Sequence, residues 1–240
     1  MNHLNKIGPS EFNALKENYQ GDLKEAEKLL ADNYPIQYLI GFVDFYDSKI
    51  KVNENVLIPR YETEILVDKT IKKLKGKKLK GIDLCTGSGA IAIALKKNLD
   101  ITLDACDIST DALKVANMNA LDNNVNINFF QKDILKESLN GKYDLIISNP
   151  PYVKKDEYTS PETKYEPAIA LFANDNGLEF YKRILDISKK SLKKKGIIIF
   201  EIGATLSKDI KEYALSIYPQ ANITIEQDFN NLDRFIFIET

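Results

Sequence analysis

The chain has 240 residues, a formal net charge of −2, 44% hydrophobic and 28% charged residues, which suits one globular domain with a small appendage. This charge argues against a chain-wide basic surface for nucleic acid, and no apolar run approaches the roughly 18 residues of a membrane span. Two cysteines, Cys85 and Cys106, are too few for a disulfide framework. Because the N-terminus also lacks a signal-peptide core, we expect a cytoplasmic protein.

The single histidine, His3, lies near the N-terminus, where chains are commonly poorly ordered. A Ser-His-Asp triad, a Cys-His pair and a histidine-based zinc site each need a histidine held within the fold. The sequence therefore argues against those classes of enzyme, and we expect no metal in the site.

Residues 1–34 are polar with apolar residues at helical spacing, which predicts a short helical N-terminal segment of one or two helices. These helices either cover an apolar surface or dock a partner. Residues 35–75 contain a predicted β-hairpin and then a linking helix, for which Thr63 is a candidate N-cap. The lysine-rich stretch 72–80 is best interpreted as a solvated linker, with phosphate contact as the weaker alternative.

Residues 76–240 form the main predicted domain, which opens with a strand, a glycine turn and a helix start. Gly87 and Gly89 allow a tight turn and close approach of a ligand, and the free N–H groups of the helix start suit a nucleotide-like ligand. With Ala92 they also match the G-x-G-x-x-A spacing of dinucleotide-binding proteins, so an NAD-dependent oxidoreductase stays open. The candidate cofactor-binding residues of this loop are Cys85, Thr86, Gly87, Ser88 and Gly89.

Acidic residues follow the next two apolar runs. Asp107 ends the second predicted strand, where a carboxylate can accept both hydroxyls of a ribose. Its alternative role is to cap the helix that begins near Ser109. Asp133 can accept a hydrogen bond from an adenine amino group while Ile134 packs on the ring, although both also suit an ordinary turn.

The turn Asn149, Pro150, Pro151 and Tyr152 closes a buried apolar strand. Ligands of open α/β sheets bind where parallel strands end, so this turn is expected at a site. The two prolines stiffen the loop. The amide oxygen of Asn149, the carbonyl of Pro150 and the ring of Tyr152 together suit a planar group that carries an NH2. We therefore expect an amide or an exocyclic base amine as acceptor, held by Asn149, Pro150, Pro151 and Tyr152.

Residues 154–167, which include Tyr158, Tyr165 and Glu166, predict a substrate-facing lid. Strands and helices then alternate, which indicates a doubly wound, mostly parallel α/β sheet. The last two strands have no helix between them and predict an antiparallel edge.

With both loops in place, the sequence resembles the Rossmann-like class I S-adenosylmethionine-dependent methyltransferases, and more narrowly the PrmC/HemK family. The resemblance rests on residues 35–41, 57–60, 62–64, 86–92, 148–152, 165–167, 201–203 and 233–234. The sequence departs from that family in having Cys85 at the position of the first loop glycine, and in a shorter segment before Pro35.

The resemblance implies methylation of the side-chain amide of the glutamine in the Gly-Gly-Gln motif of peptide chain release factors. It implies S-adenosyl-L-methionine as cofactor, held by residues 85–89, Asp107, Asp133, Ile134 and Asn149, and Asn149, Pro150 and Tyr152 as the catalytic residues. It implies release factors as partners, and no direct nucleic acid binding is expected. The same transfer to a ribosomal protein glutamine or to a base amine of RNA or DNA, and a scaffold without activity, are the alternatives.

Overall fold

The computed structural model describes residues 8–157 and 159–240. His3 and the predicted lid residue Tyr158 lie outside the described residues. The helices are α1 (Pro9–Asn18), α2 (Leu23–Ala31), α3 (Ile36–Ile40), α4 (Tyr61–Leu74), α5 (Ala90–Asn98), α6 (Thr110–Asp122), α7 (Ala168–Leu171), α8 (Glu179–Ser191) and α9 (Ser207–Ile217). The strands are β1 (Phe42–Phe45), β2 (Ser48–Lys51), β3 (Leu79–Leu84), β4 (Ile101–Asp107), β5 (Asn128–Gln131), β6 (Tyr143–Ser148), β7 (Leu192–Glu201), β8 (Asn222–Gln227) and β9 (Asp233–Glu239).

Strands β3 to β9 form a seven-stranded sheet in the order β5-β4-β3-β6-β7-β9-β8. The strands from β5 to β7 pair in parallel, as the buried apolar runs predict. Antiparallel pairing occurs at the predicted edge, where β9 is inserted between β7 and β8 and runs against both. The strand of opposite direction therefore lies one place in from the edge of a Rossmann-like sheet.

Both faces of this sheet are buried. Along β6, Leu145 and Ile147 pack into the hydrophobic core that contains α4 and α5, whereas Ile146 packs into the core that contains α8. Successive side chains of a strand point to opposite faces, so a continuous apolar run is what a doubly covered strand requires. The predicted doubly wound architecture is confirmed.

Helices α1, α2 and α3 share a small apolar cluster of their own, built on Leu15, Ala26, Ile36 and Leu39. Where one or two helices were predicted before residue 34, the structure has two, α1 and α2, and α3 follows as a third. Strands β1 and β2 form the predicted hairpin.

Two local predictions are wrong. Thr63 does not cap α4, because that helix begins at Tyr61 after Arg60, and Thr63 lies buried in its first turn. The stretch 72–80 is not all linker, since its first residues end α4 and its last two begin β3. Within the described residues, no helix has the length and apolar character needed to cross a membrane.

Candidate active site

The candidate site lies at the topological switch point of the sheet. β3 has β4 on one side and β6 on the other, so the loops after these strands diverge and leave a crevice at their carboxyl ends. The terminal residues of three strands, Asp107, Ser148 and Glu201, end at this same rim. Two adjoining cavities open there.

The first, which we call the Asp107 cavity, has a volume of about 320 Å³. Of the predicted cofactor-binding residues it is lined by Cys85, Gly87, Asp107, Asp133, Ile134 and Asn149. Three other predicted residues of the loop are not among the lining residues of this cavity: Thr86 and Ser88 are buried, and Gly89 precedes the first turn of α5. Further lining residues that the sequence did not reveal include Val56, Leu57, Ile108, Ile169 and Phe180.

The Asp107 carboxylate holds the glycine loop and faces the cavity. Its two oxygens accept hydrogen bonds from the backbone N–H groups of Gly87 and Ser109, each at 2.9 Å. Each carboxylate oxygen retains a second lone pair. Burial raises the pKa of Asp107, and the backbone N–H donors oppose that shift. Ser109 is the N-cap of α6, because its hydroxyl accepts a hydrogen bond from the N–H of Ala112. The capping role considered for Asp107 therefore belongs to Ser109.

The backbone of the loop explains why glycine suits the position of Cys85. Cys85, Gly87 and Gly89 have φ angles of 58°, 53° and 81°. A residue with a Cβ is strained in this left-handed region, by roughly 1–3 kcal/mol at a functional site. Cys85 therefore carries backbone strain that a glycine would not.

Asp133 and Ile134 also line the Asp107 cavity. The Asp133 carboxylate forms an ion pair with Lys136 at 2.9 Å and accepts the N–H of Leu135, which together lower its pKa. Ile134 is buried, and its carbonyl accepts a hydrogen bond from Arg183 at 2.9 Å. These residues form a local turn and also present an apolar side chain and a carboxylate to the cavity.

The second cavity, the Tyr152 cavity, has a volume of about 220 Å³. Of the expected acceptor-binding residues, Asn149, Pro150 and Tyr152 line this cavity, together with Leu57, Arg60, Ser160, Thr163 and Glu201. Pro151 faces the Asp107 cavity instead. Leu57, Asn149 and Ala170 line both cavities and form the wall common to them.

Close backbone packing fixes Tyr152. A Cβ at Gly177, whose φ is +90°, would stand 2.5 Å from the Tyr152 carbonyl oxygen, so this approach requires glycine. A Cβ at Gly203 would touch the Tyr152 ring at 3.2 Å. Burial raises the pKa of Tyr152 to about 12, so its hydroxyl stays protonated at neutral pH.

Behind Asn149 lies a chain of buried polar groups. The Asn149 amide Nδ2 donates to Thr63 Oγ1 at 3.3 Å, and Thr63 Oγ1 donates to Glu201 Oε2 at 2.7 Å. Burial is the largest influence on Glu201 and raises its pKa to about 7, while the Thr63 hydroxyl, the charge of Arg234 and the Asn149 amide oppose the shift. Neither Thr63 nor Glu201 was predicted as a site residue.

The segment predicted as a lid contributes Ser160 and Thr163 to the Tyr152 cavity and is tied to the chain before α4. Glu166 is buried, accepts the backbone N–H of Ile58 at 2.9 Å and forms an ion pair with Arg60. The neighbouring Tyr165 packs edge-on against Tyr34, with ring centroids 4.9 Å apart. The helical N-terminal segment therefore contacts the lid.

The Asp107 cavity fits a nucleoside-type cofactor. A carboxylate with free lone pairs suits vicinal hydroxyls, apolar side chains at Ile134 and Phe180 suit the faces of a base, and the open side of Gly87 leaves room beside the loop. No group of three or more histidine, cysteine or acidic side chains able to hold a metal occurs in the part of the chain that is described.

The comparisons with known proteins agree with this geometry. The family model Methyltransferase small domain matches residues 61–164. Two solved structures share the fold: a methyltransferase from Pyrococcus furiosus (TM-score 0.63, 16% identity, 81% of this chain and 89% of that one) and the hMettl16 catalytic domain (TM-score 0.65, 19% identity, 95% and 90%). The fold is thus the Rossmann-like fold of class I methyltransferases.

Two curated relatives narrow this class. The release factor glutamine methyltransferase of Flavobacterium psychrophilum is 43% identical over 86% of this chain and 76% of its own length. That of Lactococcus lactis subsp. lactis is 37% identical over 100% of this chain and 90% of its own length. The chain belongs to the release factor glutamine methyltransferase family.

Proposed function

We propose that this protein transfers a methyl group from S-adenosyl-L-methionine to the side-chain amide nitrogen of the glutamine in the Gly-Gly-Gln motif of peptide chain release factors. The observation that supports this proposal best is the position of Asn149 on the wall common to the two cavities. A carboxamide in the Tyr152 cavity would meet a cofactor in the Asp107 cavity at that side chain. The similarity to the curated relatives supports the choice of substrate.

Cys85, Gly87, Asp107, Asp133 and Ile134 are the residues that would hold the cofactor. When bound, S-adenosylmethionine supplies an activated methyl group on its sulfonium sulfur. Asp107 would accept the ribose hydroxyls, and Ile134 would pack on the adenine ring. The lining of the Asp107 cavity supports these roles.

Asn149 and Pro150 would orient the acceptor. An amide nitrogen is a weak nucleophile, because its lone pair is delocalised into the carbonyl group. Hydrogen bonds from the substrate NH2 to Asn149 Oδ1 and the Pro150 carbonyl would direct the nitrogen lone pair toward the Asp107 cavity. The half-buried Tyr152 ring would pack on the amide. Orientation of this kind contributes up to roughly 7–11 kcal/mol in well-aligned reactions. The amide proton can leave after transfer.

A protein acceptor fits the overall charge of the chain. The formal net charge of −2 offers little attraction to a phosphate backbone, and we expect no direct nucleic acid binding. A release factor acts in translation, so the proposed substrate agrees with the cytoplasmic location expected from the sequence.

Mass spectrometry of the acceptor tests the proposal. Purified protein is incubated with S-adenosylmethionine and an unmodified release factor, and the peptide that carries Gly-Gly-Gln is analysed for one added methyl group on the glutamine side chain. A release factor with asparagine at that position is the control. Parallel reactions offer ribosomes and RNA. Methylation of either of those, with the release factor left unmodified, would contradict the proposal.

A further inference from the structure

The polar chain behind Asn149 is buried and is composed of groups whose donor and acceptor roles are restricted. Thr63 is 5% exposed and Glu201 is 2% exposed. The chain joins three separate parts of the fold: the turn after β6, the first turn of α4 and the last residue of β7. Its two hydrogen bonds measure 3.3 Å and 2.7 Å.

The direction of these hydrogen bonds follows from Glu201. An ionised carboxylate only accepts, so the Thr63 hydroxyl must donate its one proton to Glu201. The hydroxyl oxygen of Thr63 then offers only lone pairs to Asn149, and an asparagine side chain can meet a lone pair only with its NH2. The Asn149 amide is therefore held with Nδ2 toward Thr63, and Oδ1 is directed away from Thr63.

This orientation matters because the opposite one would fail. An Asn149 side chain rotated by half a turn would present its NH2 to the substrate NH2, and two donors repel each other. With Oδ1 presented, the substrate NH2 gains an acceptor. Since Asn149 lines both cavities, its amide orientation controls the geometry at their junction.

We propose that Thr63 and Glu201 are positioning residues that set the amide orientation of Asn149 for methyl transfer. This inference rests on the proposed function. In that scheme neither residue bonds the acceptor nitrogen or the methyl group. Thr63 acts through Asn149, and Glu201, which also lines the Tyr152 cavity, acts through Thr63.

Thr63→Val and Thr63→Ser form a matched pair of test variants. Valine keeps the shape and burial of threonine but removes the hydroxyl, whereas serine keeps the hydroxyl and removes a methyl group. We expect Thr63→Val to lower kcat at least tenfold with cofactor affinity, measured by calorimetry, within twofold of wild type. We expect Thr63→Ser to keep kcat within threefold of wild type, which a purely steric role for Thr63 does not predict.

A nuclear magnetic resonance measurement gives a readout that does not depend on turnover. In wild-type protein at pH 8, one proton of the Asn149 side-chain NH2 should show the downfield shift and slow solvent exchange of a buried hydrogen bond. Thr63→Val should abolish both. This signal also tests the proposal on the wild-type protein alone, should Thr63→Val fail to fold.

The outcomes separate the two proposals. If wild-type protein methylates no release factor, the proposed function fails, and the resonance of Asn149 still reports on its orientation. If wild type is active and Thr63→Val retains its kcat, or Thr63→Ser loses as much as Thr63→Val, the positioning role is wrong. Absence of the hydrogen-bonded Asn149 proton in wild type would overturn it as well.

Discussion

The carboxylate of Glu166 holds Arg60 and the backbone of Ile58 across 106 and 108 residues of sequence. One oxygen accepts the Ile58 N–H at 2.9 Å, and the other pairs with the guanidinium. Leu57, which precedes this anchor, lines both cavities. The lid and the chain before α4 are thereby joined over the site.

Loss of this anchor should weaken binding in both cavities. We expect Glu166→Ala to lower cofactor affinity and raise the acceptor KM by roughly tenfold each, the equivalent of one charge-assisted hydrogen bond of about 1.5 kcal/mol. Calorimetry and steady-state kinetics measure the two effects. Glu162→Ala, at an exposed position of the same segment, is the control and should behave as wild type. Unchanged binding in Glu166→Ala would show that the anchor is dispensable.

Asp107 should govern cofactor affinity. Asp107→Asn keeps the shape but removes the charge and places a donor where an acceptor is needed, so we expect cofactor binding to weaken by roughly 10- to 150-fold, or about 1.5–3 kcal/mol. Isothermal titration calorimetry measures it. Asp111→Asn, at an exposed residue of α6 that forms an ion pair with Lys114, provides the comparison and should bind normally. Equal affinities for the two variants would refute the ribose assignment.

Asn149 should matter for transfer more than for cofactor binding. We expect Asn149→Ala to lower kcat by about 100-fold or more, because the acceptor amide loses its orienting hydrogen bond. The measurements are single-turnover transfer to a release factor and calorimetric titration of the cofactor. Near wild-type transfer by this variant would exclude the orienting role.

The rate should depend on pH through Glu201. This acid, with its pKa raised to about 7, is protonated below that pH and ionised above it, and only the ionised form requires Thr63 to donate. We therefore expect kcat to rise from pH 6 to pH 8 and then level off. The other charged or titratable groups that interact electrostatically with Glu201 are Glu62 on α4, Arg234 on β9, Tyr152 and Tyr181.

The variant Glu201→Gln checks this pH dependence. Glutamine does not ionise, so the profile of kcat between pH 6 and pH 8 should be flat. A rise of the same size in the variant would assign the pH dependence to another group.

Cys85 should tolerate glycine but not a β-branched residue. At φ 58°, glycine relieves the strain of the Cβ, which offsets the lost side-chain packing and the greater freedom of the unfolded chain. We expect the free energy of unfolding of Cys85→Gly to lie within about 1 kcal/mol of the wild-type value. For Cys85→Val we expect it to fall by roughly 2–3 kcal/mol. Urea denaturation measures both. A valine variant as stable as wild type would remove the strain argument.

The sequence predicts the parallel strands well, because a strand covered on both faces must be continuously apolar, as Leu145, Ile146 and Ile147 are. It also indicates Asp107 and Asn149, since polar residues that close such strands meet at one rim. Glu201 closes β7 in the same way. The signal that singled out Asp107 was therefore available for Glu201 as well.

Other parts of the site could not be read from local patterns. The contact of Arg60 with Glu166 depends on how the lid packs against the chain before α4, and no periodicity encodes it. Thr63 is a residue type that often caps helices, but tertiary packing turns its side chain inward, where it hydrogen-bonds Glu201. The preference of a residue type for helix starts indicates where a helix begins, but it does not identify the distant side chain with which that residue forms a hydrogen bond.

The two cavities share Leu57, Asn149 and Ala170 as a common wall, and this has a consequence for inhibitor design. A compound with an adenosine moiety joined through a short tether to a carboxamide could occupy both spaces at once. The second moiety would then bind at the high effective concentration that a short tether creates. Such a bisubstrate molecule would favour enzymes with this shared wall over methyltransferases whose acceptor pocket opens elsewhere.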